Sequence, residues 1–61
     1  MKELCYYVAR SPKIDNTLLF IAEVFGCTIA IKSVEMDYRE VTIFCEEGDV
    51  IGIQTMIASI I

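Results

Sequence analysis

Few residues in this chain could do chemistry. Its nucleophiles are three cysteines, Cys5, Cys27 and Cys45, far apart along the sequence. A catalytic thiolate needs a neighbouring base, and there is no histidine to supply one. Lys13 and Lys32 remain, but neither sits in a stretch that marks it as buried. Without histidine or a C-x-x-C pair, a zinc site also lacks its ligand spacing. Each cysteine lies in an apolar run, and an odd number closes no disulfide framework. The thiols read as buried and free in a reducing cytosol, with an intermolecular disulfide across a symmetric interface as their alternative use. Glu46 and Glu47 form a carboxylate pair, but they read as exposed turn residues before a helix. The "EEGD" segment is far shorter than an EF-hand loop of about twelve residues. Tyr6, Tyr7 and Phe44 could stack on bases, but no basic-aromatic pattern accompanies them and the net charge is −4. Expected, therefore, is a protein without catalytic, metal or cofactor chemistry that does not bind nucleic acid.

Charge is unevenly spread. Residues 1–34 carry Lys2, Arg10, Lys13 and Lys32 against Glu3, Asp15 and Glu23, a net +1. Residues 35–61 carry only Arg39 against Glu35, Asp37, Glu40, Glu46, Glu47 and Asp49, a net −5. The acidic half opposes phosphate-backbone binding and suits a basic protein partner. Glu35, Asp37, Glu40, Glu46 and Glu47 are the expected protein-binding rim.

The elements that position these groups are set by hydrophobic spacing. "ELCYYVA" (residues 3–9) reads as a strand so apolar that both faces should be covered. "RSPKID" (residues 10–15) reads as a loop in which Pro12 keeps Ser11 out of helical geometry, and Asp15 or Asn16 can cap the next segment. "TLLFIAEVF" (residues 17–25) is a helix with Leu18, Ile21, Ala22 and Phe25 on one face. Leu19, Phe20 and Val24 widen its apolar stripe, so it should be buried on more than one side. Gly26 suits the C-terminal cap. "TIAIKSVEM" (residues 28–36) alternates as a strand with Ile29 and Ile31 inward and Lys32 outward. A turn at residues 37–39 leads to "EVTIFCE" (residues 40–46), with Val41, Ile43 and Cys45 on one face and Thr42 and Phe44 on the other. These two strands form an antiparallel hairpin. Asp49 can cap a last helix with Val50, Ile53, Ile57, Ile60 and Ile61 along its face. β-branched residues leave a strand open as the alternative, but apolar residues repeat at three and four, which favours helix.

The order is strand, helix, strand, strand, helix, an α+β sandwich of one domain over residues 1–61. Its core should hold Leu4, Tyr6, Val8, Ile29, Ile31, Val41, Ile43 and Cys45 beneath Leu18, Ile21, Ala22, Phe25, Ile53 and Ile57.

Apolar residues make up 56% of the 61. A chain this short buries only about 60% of its unfolded surface, and such a core rarely supplies more than about 3–5 kcal/mol. Oligomerisation is the remaining way to cover the surplus. The longest apolar stretch is broken by Glu23 and Gly26, which opposes a membrane span of about 20 residues. The ending "GDVIGIQTMIASII" carries no charge after Asp49. It implies that Ile57, Ile60 and Ile61 are at least partly covered.

"DNTLLFIAEVFGCTIAI" resembles the first helix and second strand of the ACT domain, a ferredoxin-like regulatory module. The resemblance implies a β-α-β-β-α chain: an antiparallel sheet with two helices on one face and the family's last strand missing. It implies a small ligand, an amino acid or nucleotide, held at a subunit interface by a loop containing Pro12, Asp15 and Asn16. The family's ligand-contacting glycine falls near Asn16, whose side chain obstructs close backbone approach. Without the last strand, the first strand has an open edge at Cys5, Tyr6 and Tyr7 for a second copy to cover. The expected oligomer interface takes in Cys5, Tyr7, Phe20, Val24, Phe44, Ile60 and Ile61. Two functions are expected from these readings. One is a non-enzymatic, acidic, homo-oligomeric protein-binding module, similar in composition to compact phage inhibitors of larger host proteins. The other is an ACT-like ligand receptor.

Overall fold

In the computed structural model, which describes residues 1–61, period-two alternation sets the sheet. Strand β1 (Lys2–Ala9) turns Leu4, Tyr6 and Val8 to one side and Cys5, Tyr7 and Ala9 to the other. Strand β3 (Tyr38–Cys45) turns Arg39, Val41, Ile43 and Cys45 to that same first side. Strand β2 (Thr28–Ser33) adds Ile29 and Ile31. The strand order is β1-β3-β2, and both outer strands run antiparallel to β3. β1 and β2 are therefore parallel to each other with β3 between them, the split β-α-β arrangement. Inner-face rows obey the register: Leu4, Ile43 and Ile29 stand abreast, as do Tyr6, Val41 and Ile31.

Helix α1 (Pro12–Phe25) begins earlier than the sequence suggests. Ser11 is extended at φ −154° and ψ 137°, as a residue before proline should be. Pro12 is then the first helical residue, where its missing N–H costs nothing. Residues 10–15 are thus no loop, and neither Asp15 nor Asn16 is the cap. Ile14 moves into the core as a result. α1 stops at Gly26, whose φ of 63° is left-handed, as expected of its cap.

Residues 34–37 join β2 to β3, so the turn begins three residues earlier than expected and β3 takes in Tyr38 and Arg39. The Arg10 backbone N–H donates to the Asp37 carbonyl at 2.8 Å and ties this turn to the end of β1. After β3, one 3-10 turn (Glu47–Asp49) leads into helix α2 (Val50–Ala58), which resolves the last segment as helix. Asp49 occupies the cap position, but its side chain makes no capping hydrogen bond. α2 approaches α1 closely at Gly52, where a Cβ would stand 3.1 Å from the Phe25 ring.

Both helices pack on the inner face. The core joins Val8, Val41, Ile43 and Cys45 to Ile14, Leu18 and Ile21 of α1 and Ile53 and Ile57 of α2. Leu4, Tyr6, Phe25 and Ile29 pack half-buried at its margin. Ile31 departs from expectation and is 49% exposed. Alternation gives its face correctly, but no helix covers that end of β2. The other side of the sheet carries no layer, so Cys5, Tyr7 and Ala9 are exposed and β1 is covered on one face only. Tyr7 compensates by stacking on Tyr38, with ring centroids 5.3 Å apart. No helix is long and apolar enough to cross a membrane.

Candidate functional site

The uncovered end of β2 leaves a groove of about 360 Å³ between that strand and α1. Leu18, Leu19 and Ala22 form the helical wall, and Ile29 and Ile31 form the strand wall. α1 directs Ile14, Leu18 and Ile21 down onto the sheet, so Leu19 and Ala22, further round the helix, lean over β2 instead. β2 is the last strand on that side, so nothing beyond it meets them.

One end of the groove is polar. Arg39 stands in β3 opposite Val8 on one side and Ser33 on the other. Its side chain is only 12% exposed, and its Nη2 donates to the Asp15 carboxylate, which is 44% exposed. The Arg39 Nε is buried without a hydrogen-bond partner. A guanidinium on the inner face costs desolvation, and Asp15 offsets it from a position still open to water. Nearby, Arg10 Nη2 donates to Ser33 Oγ at 3.3 Å. Sequence reasoning misses Arg39 by placing it in a turn. The signal is present all the same: the Val41, Ile43, Cys45 alternation, stepped back by two, lands on Arg39.

The expected site residues separate. Asp15 lines the groove, but Pro12 and Asn16 are exposed on the first turns of α1 and form no ligand loop. All five rim carboxylates are exposed, but on different parts of the molecule. Glu35 and Asp37 lie in the turn before β3, and Glu46 and Glu47 come just after its far end. Eight residues at about 3.3 Å each put roughly 25 Å between these groups. Glu40 lies between them on the open sheet face, in the row of Tyr7 and Lys32.

The expected interface residues also divide. Cys5, Tyr7 and Phe44 lie on the open sheet face, Phe20 and Val24 on the solvent side of α1, and Ile60 and Ile61 at the end of α2. No single flat surface holds all seven. Of the tail, Ile57 is buried, Ile60 half-buried, and Ile61 67% exposed, against expectation. Ile61 lies beyond α2 and does not join the packing around the core.

The thiols are free and differ in environment. Cys45 is buried, Cys27 half-buried, and Cys5 exposed, contrary to the expectation that all three are covered. Burial pushes the Cys27 thiol up, a backbone hydrogen bond opposes this, and Cys45 and Asp49 add to it. Cys27 therefore stays a thiol near neutrality and donates to the Ile21 carbonyl at 3.7 Å. Burial, then Cys45, likewise holds the Tyr6 hydroxyl above its usual range. No three His, Cys, Asp or Glu side chains converge as a metal-binding group. Comparison of the chain with protein-family models, with curated proteins and with solved structures found no match.

Proposed function

We propose that this chain is a non-enzymatic, homo-oligomeric protein-binding module. One observation carries the reading. Eleven large apolar side chains are exposed, against nine residues in the buried core. Isolated exposed apolar residues are ordinary, but an excess over the core itself calls for a covering surface. The groove concentrates part of that excess, with Leu19 at 66% and Ile31 at 49% exposed. The strand order and the two helices on one face support a ferredoxin-like β-α-β-β-α arrangement without a last strand. The separated carboxylates give a larger protein partner two acidic ends to engage rather than one continuous rim, and three unpaired cysteines suit a reducing cytoplasm. Inhibition of a larger protein is one use of such a module.

Sedimentation equilibrium at micromolar concentration tests the reading, with a dimer or higher oligomer expected. Ile31→Glu should shift the chain towards monomer without loss of helix or sheet by circular dichroism. A folded wild-type monomer at these concentrations would refute the reading.

The groove favours one alternative, a small-ligand receptor in the manner of ACT domains. An apolar trough closed by the Asp15–Arg39 pair fits an amphiphile with an apolar body and a polar head. Thermal shift against amino acids and nucleotides separates the two. A ligand-dependent rise in Tm that is lost in Arg39→Leu supports the receptor.

A further inference from the structure

Resting on the homo-oligomeric reading, we propose that two copies join through their β2 edges. The strands run antiparallel about a two-fold axis at Ala30 and fuse the two three-stranded sheets into one of six strands.

Parity restricts the register. If both helical layers stay on one side of the joined sheet, inner-face residues must oppose inner-face residues. The axis must then pass through a residue, and β2 offers three central choices. With the axis at Ala30, Ile29 faces the partner's Ile31, Ile31 faces the partner's Ile29, and Thr28 faces the partner's Lys32. The inner row Leu4, Ile43, Ile29 then continues through the partner's Ile31, Val41 and Tyr6 without a polar break. An axis at Ile31 would set Ile29 against the partner's Ser33 and Ala30 against the partner's Lys32. An axis at Ile29 would set Ile31 against the partner's Cys27, which precedes the strand. Only the Ala30 axis gives each isoleucine an isoleucine.

Charge permits this pairing. Lys32 is the one charged residue of β2, and it meets a threonine. Its neighbour within the sheet is Glu40, of opposite sign. Small Ala30 side chains meet at the axis on the open face, where Thr42 and Cys5 continue the row.

The β1 edge is the rival seam, but its inner side chains are already covered. Val8 is buried, and Leu4 and Tyr6 pack half-buried against the core. A seam at β1 would leave Ile31 and Leu19 in water. The area that a stable interface needs sets the extent of the seam. A stable interface takes about 800 Å² from each partner, about a fifth of the 4086 Å² exposed here. One six-residue strand edge falls short of that, so the Leu19 side of α1 must join it. The groove is then the half-site that the partner's β2 and α1 complete.

Cross-linking tests the register. In a Cys5→Ser background, Ala30→Cys places two thiols on directly opposed residues. Their Cα atoms would be about 4.5–5.5 Å apart, within disulfide range. Mild oxidation should convert the dimer to a covalent one, whereas Ala58→Cys on α2 should not. Should Ala30→Cys misfold, mixing Thr28→Cys with Lys32→Cys chains tests the same register at exposed positions and should give a covalent heterodimer. Wild type that sediments as a monomer overturns the homo-oligomeric reading and this seam together. Wild type that sediments as an oligomer while its cysteine variants fail to cross-link overturns the β2 seam alone.

Discussion

β1 and β2 both pair with β3, and each leaves one side of its backbone open, yet their inner side chains fare differently. Val8 on β1 is 1% exposed, and Ile31 on β2 is 49% exposed. Both are β-branched, both alternate correctly and both face the helical layer. What separates them is the element above. Val8 joins Ile14, Leu18 and Ile21 of α1 and Ile53 and Ile57 of α2 in the core, whereas Ile31 lines the open groove beside α1. An edge strand with a covered inner face is finished on that face. One without cover still has an apolar face to hide as well as unpaired backbone groups.

Substitutions along one sheet layer should show the contrast most strongly. Ile43 is fully buried at the centre, so Ile43→Ala should lower unfolding free energy by about 2–5 kcal/mol in urea denaturation. Ile31→Ala, at the uncovered end, should cost about 0.5 kcal/mol or less, the surface range, when read at concentrations too low for copies to associate, and more once they do. Equal losses would mean that the two positions are equally packed.

The polar end of the groove should respond in two directions. Asp15→Asn leaves the Arg39 guanidinium on the inner face without its counter-charge and should cost about 1–3 kcal/mol. Arg39→Leu removes the buried unpartnered Nε with the charge, and should be near neutral or stabilising. A large loss from Arg39→Leu would show that the pair contributes more than its desolvation costs.

Alkaline pH should have a smaller effect. Burial raises the Cys27 and Tyr6 pKa values in the folded state, so above neutrality the unfolded chain holds fewer protons. The stability this gives is complete below the unfolded thiol value of about 8.5 and is lost as pH rises beyond it, with tyrosine joining from about 10. Tm should therefore fall between about pH 8 and about pH 10, read by circular dichroism, and Cys27→Ala should remove the thiol part of that fall. Thiol labelling should resolve the two sheet faces without affecting stability. Cys5 on the open face should react first, Cys27 more slowly, and Cys45 only as the chain unfolds. Fast labelling of Cys45 would place it outside the core.

Much of this fold is legible in local pattern. The alternation through Val41, Ile43 and Cys45 assigns their face, and the spacing of Leu18, Ile21 and Phe25 assigns theirs. Gly26 ends α1 as its type suggests. The misreadings have particular causes. Pro12 reads as a loop breaker but is the first helical residue, which hides Ile14. Arg39 reads as part of a turn, which hides the inner-face charge. Ile31 shows the deeper limit, because alternation tells which way a side chain points and not whether a distant helix lies above it. The order β1-β3-β2 also depends on pairing between residues as far apart as Lys2 and Cys45, which no local window contains.

Hydrogen exchange compares the two edges most directly. Unpaired edge amides exchange quickly, and amides bonded to a second copy do not. Exchange would be measured residue by residue by NMR at rising protein concentration. If β2 is the seam, its outward amides should gain protection as concentration rises while those of β1 stay fast. Protection that appears in β1 instead, or β2 amides that remain fast in a sample shown to be oligomeric, would contradict the assignment of the β2 edge as the self-association surface.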